Sequence, residues 1–205
     1  MARPREFDET RVLDAARDAF WKKGYEATST RELVKRTGLT QPSLYNAFGD
    51  KRMLFRRALD HYLERTLRER ILRLEAVLAP GAAISAFFGE VIERSLADVE
   101  QRGCMLVNSA LEVTPDDEEM RAAVAAELAQ IRDFFHRCLV SAAGNGELVL
   151  ALPAAEAAAH LLSVLIGIRV LARVDPRPEL LNGAASTALA MLRLPPLPQL
   201  ASQTG

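Results

Sequence analysis

The sequence predicts an all-α protein, and two observations support that prediction. Ala, Leu, Arg and Glu, which are good helix formers, dominate the 205 residues, and 49% of the chain is hydrophobic. Apolar residues recur three and four positions apart, whereas Val, Ile and Thr rarely alternate with polar residues as they would in a half-buried strand. We expect an N-terminal three-helix domain followed by a larger helical domain, with about nine helices in all.

Four helices are predicted in the first third of the chain, with ranges 8–23, 31–37, 41–48 and 51–78. Gly24, Gly38 and Gly49 stop the first three, because glycine readily adopts the conformations that end a helix. Thr40 is placed to cap the third helix. The fourth helix keeps one apolar stripe as far as Leu78. Short helices broken by glycine therefore precede one long helix.

Five further helices are predicted, with ranges 82–100, 104–113, 115–143, 153–173 and 177–194. The longest has the strongest start signal, with Thr114 as the cap and Pro115 in the first turn. Small residues crowd the last two helices, which allows close helix approach. They are Ala157, Ala158, Ala159, Gly167, Ala184, Ala185, Ala188 and Ala190. The tail, 195–205, lacks a core-forming pattern, and we expect it to be flexible.

Charge is divided unevenly along the chain. Residues 1–75 contain 17 Lys and Arg against 12 Asp and Glu, whereas residues 76–205 contain 9 against 15. A basic N-terminal part on an acidic remainder is typical of a protein that meets a polyanion through one part only. An ordinary solvated helix surface explains the same numbers equally well.

No membrane span or secretory signal is expected. The longest apolar run, 157–168, is shorter than the roughly 20 residues that cross a bilayer, and the N-terminus has no apolar signal core. The two cysteines, Cys104 and Cys138, are far apart and form no CxxC pair. These features indicate a reducing, cytoplasmic location.

The sequence offers no constellation for catalysis or for metal binding. His61, His136 and His160 fall on three different predicted helices and lack the spacing of metal ligands. There is no nucleophile elbow, phosphate-binding glycine loop or pair of catalytic carboxylates. We therefore expect no enzyme activity, no metal and no cofactor.

The stretch from Thr37 to Phe55, TGLTQPSLYNAFGDKRMLF, holds a short helix with an unusually polar face. Leu39, Leu44 and Phe48 are spaced to face the core, which leaves the polar side chains outward. Two short helices around Gly38 form a helix-turn-helix, whose second helix fits the DNA major groove, about 12 Å wide. Its outward residues with hydrogen-bonding groups are Gln41, Ser43, Tyr45 and Asn46.

Other residues nearby suit the sugar-phosphate backbone of DNA. The hydroxyls of the Thr-Ser-Thr run at 28–30 precede the second helix, and free N–H groups at a helix N-terminus bind phosphate. Lys51 adds a cation at the start of the long helix. Arg3 and Arg5 form a candidate arm toward the backbone or the minor groove. A generic helical hairpin with a polar surface remains an alternative.

Two motifs occur here without a gap: Gly-Tyr-x-x-Thr-Ser at 24–29 and Pro-Ser-Leu-Tyr-x-x-Phe-x-x-Lys at 42–51. With the helices around them, over residues 7–59, they resemble the DNA-binding domain of the TetR family of transcriptional regulators. The resemblance implies an all-helical homodimer that binds double-stranded operator DNA. It implies DNA contacts from Thr28, Ser29, Thr30, Arg31, Thr40, Gln41, Pro42, Ser43, Tyr45, Asn46 and Lys51. Asn46 lies where family members vary, so it is the candidate for reading base sequence.

The resemblance also implies a division of the chain into three parts. Residues 6–66 form the DNA-binding domain, with the helix-turn-helix motif at about 29–48, and residues 67–194 form the effector-binding and dimerisation domain. Residues 195–205 are the flexible tail. In keeping with the family, we expect the last two helices to form the four-helix bundle of the dimer.

The segment Gly-Cys-x-x-x-Asn-x-x-x-Glu at 103–112 resembles a segment in one branch of the family. Some members of that branch sense electrophiles or oxidants through cysteine. Cys104 is then either a sensor thiol near a helix N-terminus or an inert buried cysteine. Cys138 lies on an apolar face, where core packing is expected.

Aromatic and polar residues of the second domain form a candidate pocket for an effector. Arg169 interrupts an apolar helix, and three interpretations stay open: it contacts a ligand, lies at the dimer seam, or extends to water. The candidate pocket and sensor residues are Tyr62, Phe87, Phe88, Cys104, Met105, Asn108, Phe134 and Arg169.

The sequence therefore predicts a DNA-binding transcriptional regulator. We expect a dimeric repressor that a small molecule or thiol oxidation releases from a near-palindromic operator. The alternative is a helical small-molecule-binding protein or enzyme in which the N-terminal segment is only structural. The sequence does not distinguish repression from activation.

Overall fold

Every regular element between residues 7 and 198, the part of the chain that the computed structural model describes, is helical. The bounds are α1 (Glu9–Lys23), α2 (Thr30–Thr37), α3 (Gln41–Phe48), α4 (Lys51–Leu63), α5 (Glu69–Val77), α6 (Pro80–Leu96), α7 (Met105–Glu112), α8 (Glu118–Gly144), α9 (Ala154–Val174) and α10 (Pro178–Met191). A π-helical segment, Glu64–Arg68, joins α4 to α5, so these two form one long helix. The all-α prediction, with about nine helices, is confirmed for the described residues.

Side-chain caps begin each of the first four helices. Each cap accepts a hydrogen bond from the backbone N–H three residues further on, which satisfies a donor that the helix itself leaves free. Gly38, between α2 and α3, has φ of +72°, a conformation that glycine adopts without strain. The caps are Asp8, Ser29, Thr40 and Asp50. Because these signals are local, the predicted range of α3 matches the observed one.

The long helix differs from its prediction in two respects. The Glu64–Arg68 segment is π-helical, a local widening that occurs often at functional sites, and Thr66 donates its hydroxyl to the carbonyl of Tyr62 at 2.7 Å. The helix ends at Val77, one residue short of the prediction, and Leu78 is exposed and does not extend the buried stripe.

The start of α8 was misplaced in the prediction. Asp117, rather than Thr114, caps this helix, because its carboxylate accepts from the N–H of Met120 at 3.0 Å. Several residues after Thr114 carry groups that are able to cap a helix, so the sequence did not distinguish among them. The other helices of this domain differ from their predicted ranges by a few residues at their ends.

The first part of the predicted flexible tail is packed, which corrects that prediction for residues 195–198. The carbonyl of Pro195 accepts from the hydroxyl of Ser85 at 2.5 Å, and Leu197 packs against the core. Proline and leucine provide this apolar contact without a helical period, which is why the pattern was missed. Residues 199–205 lie outside the described part of the chain.

Helix α9 is apolar well beyond its buried face. By length and composition alone it would be long and apolar enough to cross a membrane, but it packs against α6, α8 and α10 as a core helix of the fold does. Only 33% of its most apolar window is buried within one chain. Its exposed large apolar side chains are Val170, Leu171 and Val174, near the C-terminal end of the helix.

Contacts tie the N-terminal helices to α7 and α8. Arg52 on α4 forms an ion pair with Asp117 at the start of α8, with an N–O distance of 2.7 Å. The backbone N–H of Tyr25 donates to the carboxylate of Glu112, the last residue of α7, at 2.6 Å. One hydrophobic core runs through both parts of the chain.

Candidate DNA-binding face and ligand cavity

Helix α3 presents a polar face on an apolar base. Leu44 is fully buried, Phe48 is buried, and Leu39 in the preceding turn is half-buried against the core. These contacts fix the helix while its other face stays in water. The exposed residues of the helix and its cap are Thr40, Gln41, Pro42, Ser43 and Asn46.

Two hydroxyl pairs order this face. The hydroxyl oxygens of Thr30 on α2 and Tyr45 on α3 lie 2.6 Å apart, and this hydrogen bond holds the two helices of the motif in register. The hydroxyl of Thr40 donates to that of Ser43 at 2.9 Å and accepts from the backbone N–H of the same residue. The first hydrogen bond thus joins α2 to α3, and the second pair fixes the N-terminal turn of α3.

The Thr-Ser-Thr run divides into one buried residue and two that stay accessible. Thr28 is fully buried, and its hydroxyl donates to the carbonyls of Gly24 and Ala19, so its side chain is not available to DNA. That part of the prediction is wrong for Thr28, because tertiary packing uses its hydroxyl. Ser29 caps α2 and is exposed, and Thr30 is half-exposed.

Basic side chains flank the motif. Arg31 is exposed on the first turn of α2. Lys51, half-exposed at the start of α4, lies with Nζ 4.5 Å from the centre of the Tyr25 ring and donates to the carbonyl of Glu26 at 3.3 Å. A cation held in this way is positioned before any phosphate arrives. Arg3 and Arg5, the predicted arm, lie outside the described residues.

A cavity of about 340 Å³ lies among α1, the long helix and the helices of the second domain. Of the eight predicted pocket or sensor residues, Tyr62, Phe87, Cys104 and Arg169 line it. The other four do not, and this corrects the prediction for Phe88, Met105, Asn108 and Phe134.

The four misplaced residues have structural partners instead. Phe88 is fully buried and stacks on Phe135, with ring centroids 5.6 Å apart, and Phe134 is fully buried in the same cluster. Met105 is buried, and the amide of Asn108 donates to the carbonyl of Arg102 at 2.8 Å. Sequence spacing does not separate core aromatics from pocket aromatics, because both require an inward-facing helix position.

Arg169 enters the cavity wall from α9. Its guanidinium donates to the hydroxyl of Ser95 at 2.6 Å and to the carbonyl of Gly103 at 3.2 Å. Burial acts to lower the pKa of Arg169, but interactions with Cys104 and Tyr62 outweigh it and hold the pKa above the usual arginine value. Of the three sequence interpretations, the structure places this side chain at the cavity.

Most of the other residues that line the cavity were missed by sequence reasoning, and four of them carry polar groups that matter for a ligand. Trp21 comes from α1 of the N-terminal domain, and Thr66 and Arg70 come from the long helix. Arg94 is an exposed residue of α6 among the same lining. Along the long helix, the lining positions 62, 63, 66, 67 and 70 are spaced to lie on one face, and the sequence could have indicated that face. Nothing in the sequence indicates that α1 packs beside it.

The two cysteines differ in environment. Cys104 is half-buried at the N-cap position of α7, next to the cavity, whereas Cys138 is buried on α8. Burial, with Glu75 acting in the same direction, raises the pKa of Cys138 to about 12. Within residues 7–198, no group of three or more metal-ligating side chains comes together.

The outer faces of α9 and α10 carry apolar and small residues among polar ones. Val174 and Met191 are exposed, and a side chain at Gly167 or Gly183 would meet open space within this chain. Of the small residues predicted for a dimer face, Ala159, Gly167, Ala184 and Ala190 are on or near the surface, whereas Ala157, Ala158, Ala185 and Ala188 are buried inside the chain.

Known proteins resemble the chain over almost its whole length. A family model described as bacterial regulatory proteins, tetR family, matches residues 12–58, and a tetracyclin repressor-like C-terminal domain model matches 80–188. The uncharacterized HTH-type transcriptional regulator YezE of Bacillus subtilis (strain 168) is 37% identical over 149 residues, 72% of this chain and 76% of YezE. The HTH-type transcriptional repressor ComR of Escherichia coli (strain K12) is 28% identical over 190 residues, 92% of this chain and 90% of ComR.

Solved structures show the same architecture. A cysteine mutant of the TetR family transcriptional regulator CifR, complexed with 26-bp double-strand operator DNA, is 35% identical, covers 92% of this chain and 98% of its own, and has a TM-score of 0.81. Reduced NemR of E. coli has a TM-score of 0.77 over 91% of this chain and 99% of its own. At 18% identity, NemR supports the fold alone.

Proposed function

Because the chain belongs to the tetR family of bacterial regulatory proteins and is a DNA-binding transcriptional regulator, we propose that it acts as a dimeric repressor. In this proposal a small molecule, or oxidation of a thiol, releases it from a near-palindromic operator in the cytoplasm. The similarity to the repressor ComR and to CifR with operator DNA favours repression over activation. The relatives are regulators, so the enzyme alternative has no support from them.

The exposed face of α3 carries the proposal. Gln41 and Asn46 offer amide donors and acceptors, and amides are able to pair with adenine in the major groove. Ser29, Thr30, Arg31 and Lys51 surround them with groups suited to phosphates. Base readout then depends on the amides, and affinity depends on the backbone contacts. The remaining proposed DNA contacts are Thr40, Pro42, Ser43 and Tyr45.

The exposed apolar and small residues of α9 and α10 support the proposed dimer. Exposed apolar residues and small residues together allow two copies of these helices to pack closely into a four-helix bundle. A two-fold dimer places its recognition helices about 34–36 Å apart, one turn of DNA. The operator is therefore expected to be near-palindromic.

Release requires that the effector distinguish two arrangements of the DNA-binding heads. Moving such an equilibrium almost completely takes about 5.5 kcal/mol of differential binding. Two connections reach from the cavity to the heads: the long α4–α5 helix, and α7, which runs from Cys104 to Glu112. Cys104 also lies in the electrostatic reach of Arg169, and a neighbouring cation is typical of reactive cysteines.

Fluorescence anisotropy with DNA from the region upstream of its own gene tests the proposal. We expect tight, salt-sensitive binding of a dimer to a near-palindrome and much weaker binding to scrambled DNA. Hydrogen peroxide tests the thiol route, with Cys104→Ser expected to resist release and Cys138→Ser expected to behave as wild type. Equal release of both variants would refute thiol sensing by Cys104, and equal affinity for scrambled DNA would refute specific repression.

A further inference from the structure

The cavity contains more positive charge than its domain would supply at random. Four arginines line it, and the one acidic residue among its described lining, Asp98, is bonded to one of them, Arg102, at 3.2 Å. Three of the four belong to residues 76–205, which hold only 9 Lys and Arg against 15 Asp and Glu, so the cavity is positive although this part of the chain is acidic. The four are Arg70, Arg94, Arg102 and Arg169.

Arg169 has no carboxylate partner. Its guanidinium donates to the Ser95 hydroxyl and the Gly103 carbonyl and interacts with Cys104 and Tyr62, and no carboxylate of the described residues lies within 4.0 Å of it. Burial, followed by the neighbouring Cys104, raises the pKa of Tyr62 far above its usual range, so this phenol is neutral at physiological pH. A guanidinium withdrawn from water without an anion is unfavourable.

Arg70 adds to the excess of positive charge in the cavity. It lies over the ring of Phe87 at 5.4 Å and shares the carboxylate of Glu90 with Arg73. Burial, together with Arg94, lowers the pKa of Arg70 to about 10. Arg169 acts on it in the same direction, so the guanidiniums are close enough to repel one another.

Trp21 contributes a donor without an acceptor. Among buried side-chain nitrogen and oxygen atoms of the described residues, only its indole Nε1 has no hydrogen-bond partner. The ring is fixed by Tyr62, with centroids 4.9 Å apart, and by the guanidinium of Arg102 at 4.4 Å. A buried donor that stays unpaired costs free energy, so this position also suits an acceptor from outside the chain.

The rest of the cavity is apolar, and its volume of about 340 Å³ is within the usual range for a small-molecule site. Aliphatic residues from the long helix, α6, α7, α8 and α9 form its walls. They include Leu67, Val91, Leu106, Ile131, Leu162 and Leu165.

We propose that the cavity binds an amphipathic anion, a carboxylate with an apolar body. The carboxylate accepts hydrogen bonds from the Arg169 guanidinium and the Trp21 indole N–H, in the positive field of Arg70, and the body packs on the aliphatic walls. Trp21 belongs to α1, so the ligand contacts the DNA-binding domain directly. The inference rests on the proposed function only in taking this cavity as the effector site.

Trp21 is the single tryptophan of the chain, so its fluorescence can be used to follow ligand binding in the cavity. The full-length protein is titrated with decanoate, with 1-decanol and with decylamine, and the tryptophan fluorescence is recorded. We expect a saturable change with decanoate at one molecule per chain, at least about 10-fold weaker binding of the uncharged alcohol, and no saturable binding of the amine. Equal affinity for decanoate and 1-decanol, or no binding of decanoate, would overturn the proposal.

Variants that each remove one positive charge test which arginine binds the carboxylate of the ligand. Arg169→Gln is expected to weaken decanoate binding at least about 10-fold and to leave 1-decanol binding unchanged. Arg94→Gln, at an exposed position, keeps the test available if Arg169→Gln does not fold, and we expect it to weaken decanoate binding a few-fold. Arg132→Gln removes an exposed arginine paired with Asp133, outside the cavity lining, and should change nothing. If it matches the cavity variants, the effect is general charge and the proposal fails.

Operator binding, measured separately by anisotropy at saturating decanoate, distinguishes the two proposals. Decanoate binding without release of DNA would support the anion site and refute its role as the effector site. Release by oxidant with no fluorescence response to decanoate would leave the repressor proposal standing and refute the anion site.

Discussion

Helix α3 and the cavity treat polar groups in opposite ways. On α3, Gln41 and Asn46 are exposed, so water satisfies their amides until DNA replaces it. In the cavity, the Arg169 guanidinium has no carboxylate partner among the described residues, and the buried Trp21 indole N–H has no acceptor there. The first arrangement costs the free protein nothing, whereas the second is unfavourable until a ligand supplies the missing partner. The contrast indicates that a polar surface marks a recognition face, and that unpaired buried groups mark a ligand site.

The DNA-binding face and the cavity also differ in the number of subunits that form them. Under the proposed function the DNA-binding face consists of two α3 helices, one from each subunit, whereas each cavity lies within one chain. Separating the subunits should therefore remove one activity and keep the other.

The largest expected effect comes from Gly167→Arg on α9. A side chain there meets open space within one chain but would lie in the proposed bundle, so we expect a monomer. Operator affinity should fall at least about 100-fold, because one half-site no longer supports the other. Decanoate titration of Trp21 fluorescence should be unchanged. Sedimentation and anisotropy measure the two effects.

The matched control is Gly144→Arg. Gly144 is also helical and also has open space around it, but it is the last residue of α8 and so does not belong to the two helices of the proposed bundle. It should remain dimeric and bind DNA normally. A dimeric Gly167→Arg protein would show that the last two helices are not the interface.

A smaller effect is expected when single side chains of α3 are changed. Tyr45→Phe removes the hydroxyl that bonds to Thr30 and, in our proposal, reaches a phosphate, so binding should weaken about 10-fold on every sequence. Asn46→Ala should instead change the preference at one base position, by about 1–3 kcal/mol. Gel shifts on an operator library measure both. If the two variants gave the same pattern, the division between backbone and base contacts would be wrong.

The difference between α3 and the cavity also explains which features could be predicted from the sequence. The bounds and polar face of α3 follow from Thr40, Leu44, Phe48 and Gly49, all within one short segment, so local rules were sufficient. The cavity draws on seven helices, and its Trp21 is separated from Arg169 by most of the chain. No local pattern predicts that meeting, and none separates Phe87, which lines the cavity, from other phenylalanines of the core.

A substitution at Thr28 tests whether this residue stabilises the fold or contacts DNA. Its hydroxyl is used inside the protein, bonded to the carbonyl of Gly24 at 2.6 Å, so Thr28→Val leaves that carbonyl unpaired. We expect the free energy of unfolding to fall by about 1–2 kcal/mol, with operator preference unchanged. Thr114→Val, at an exposed threonine, should stay within about 0.5 kcal/mol. Urea denaturation measures the change, and a shift in operator preference would restore Thr28 as a DNA contact.

The smallest expected effect concerns the contact that joins the two regions. Glu112, at the end of α7, accepts the Tyr25 N–H beside the helix-turn-helix, whereas the exposed Glu100 forms ion pairs with Lys22 at 3.5 Å and Arg102 at 3.4 Å and does not contact the helix-turn-helix. Glu112→Gln keeps the shape but removes the charge, so we expect a loss of about 0.5–1 kcal/mol in unfolding free energy, and less for Glu100→Gln. Because α7 begins at the cavity, the Glu112 variant should also weaken the effect of a cavity ligand on operator binding. Equal results for both variants, in urea denaturation and in ligand-dependent anisotropy, would exclude α7 as the connection and leave the long α4–α5 helix.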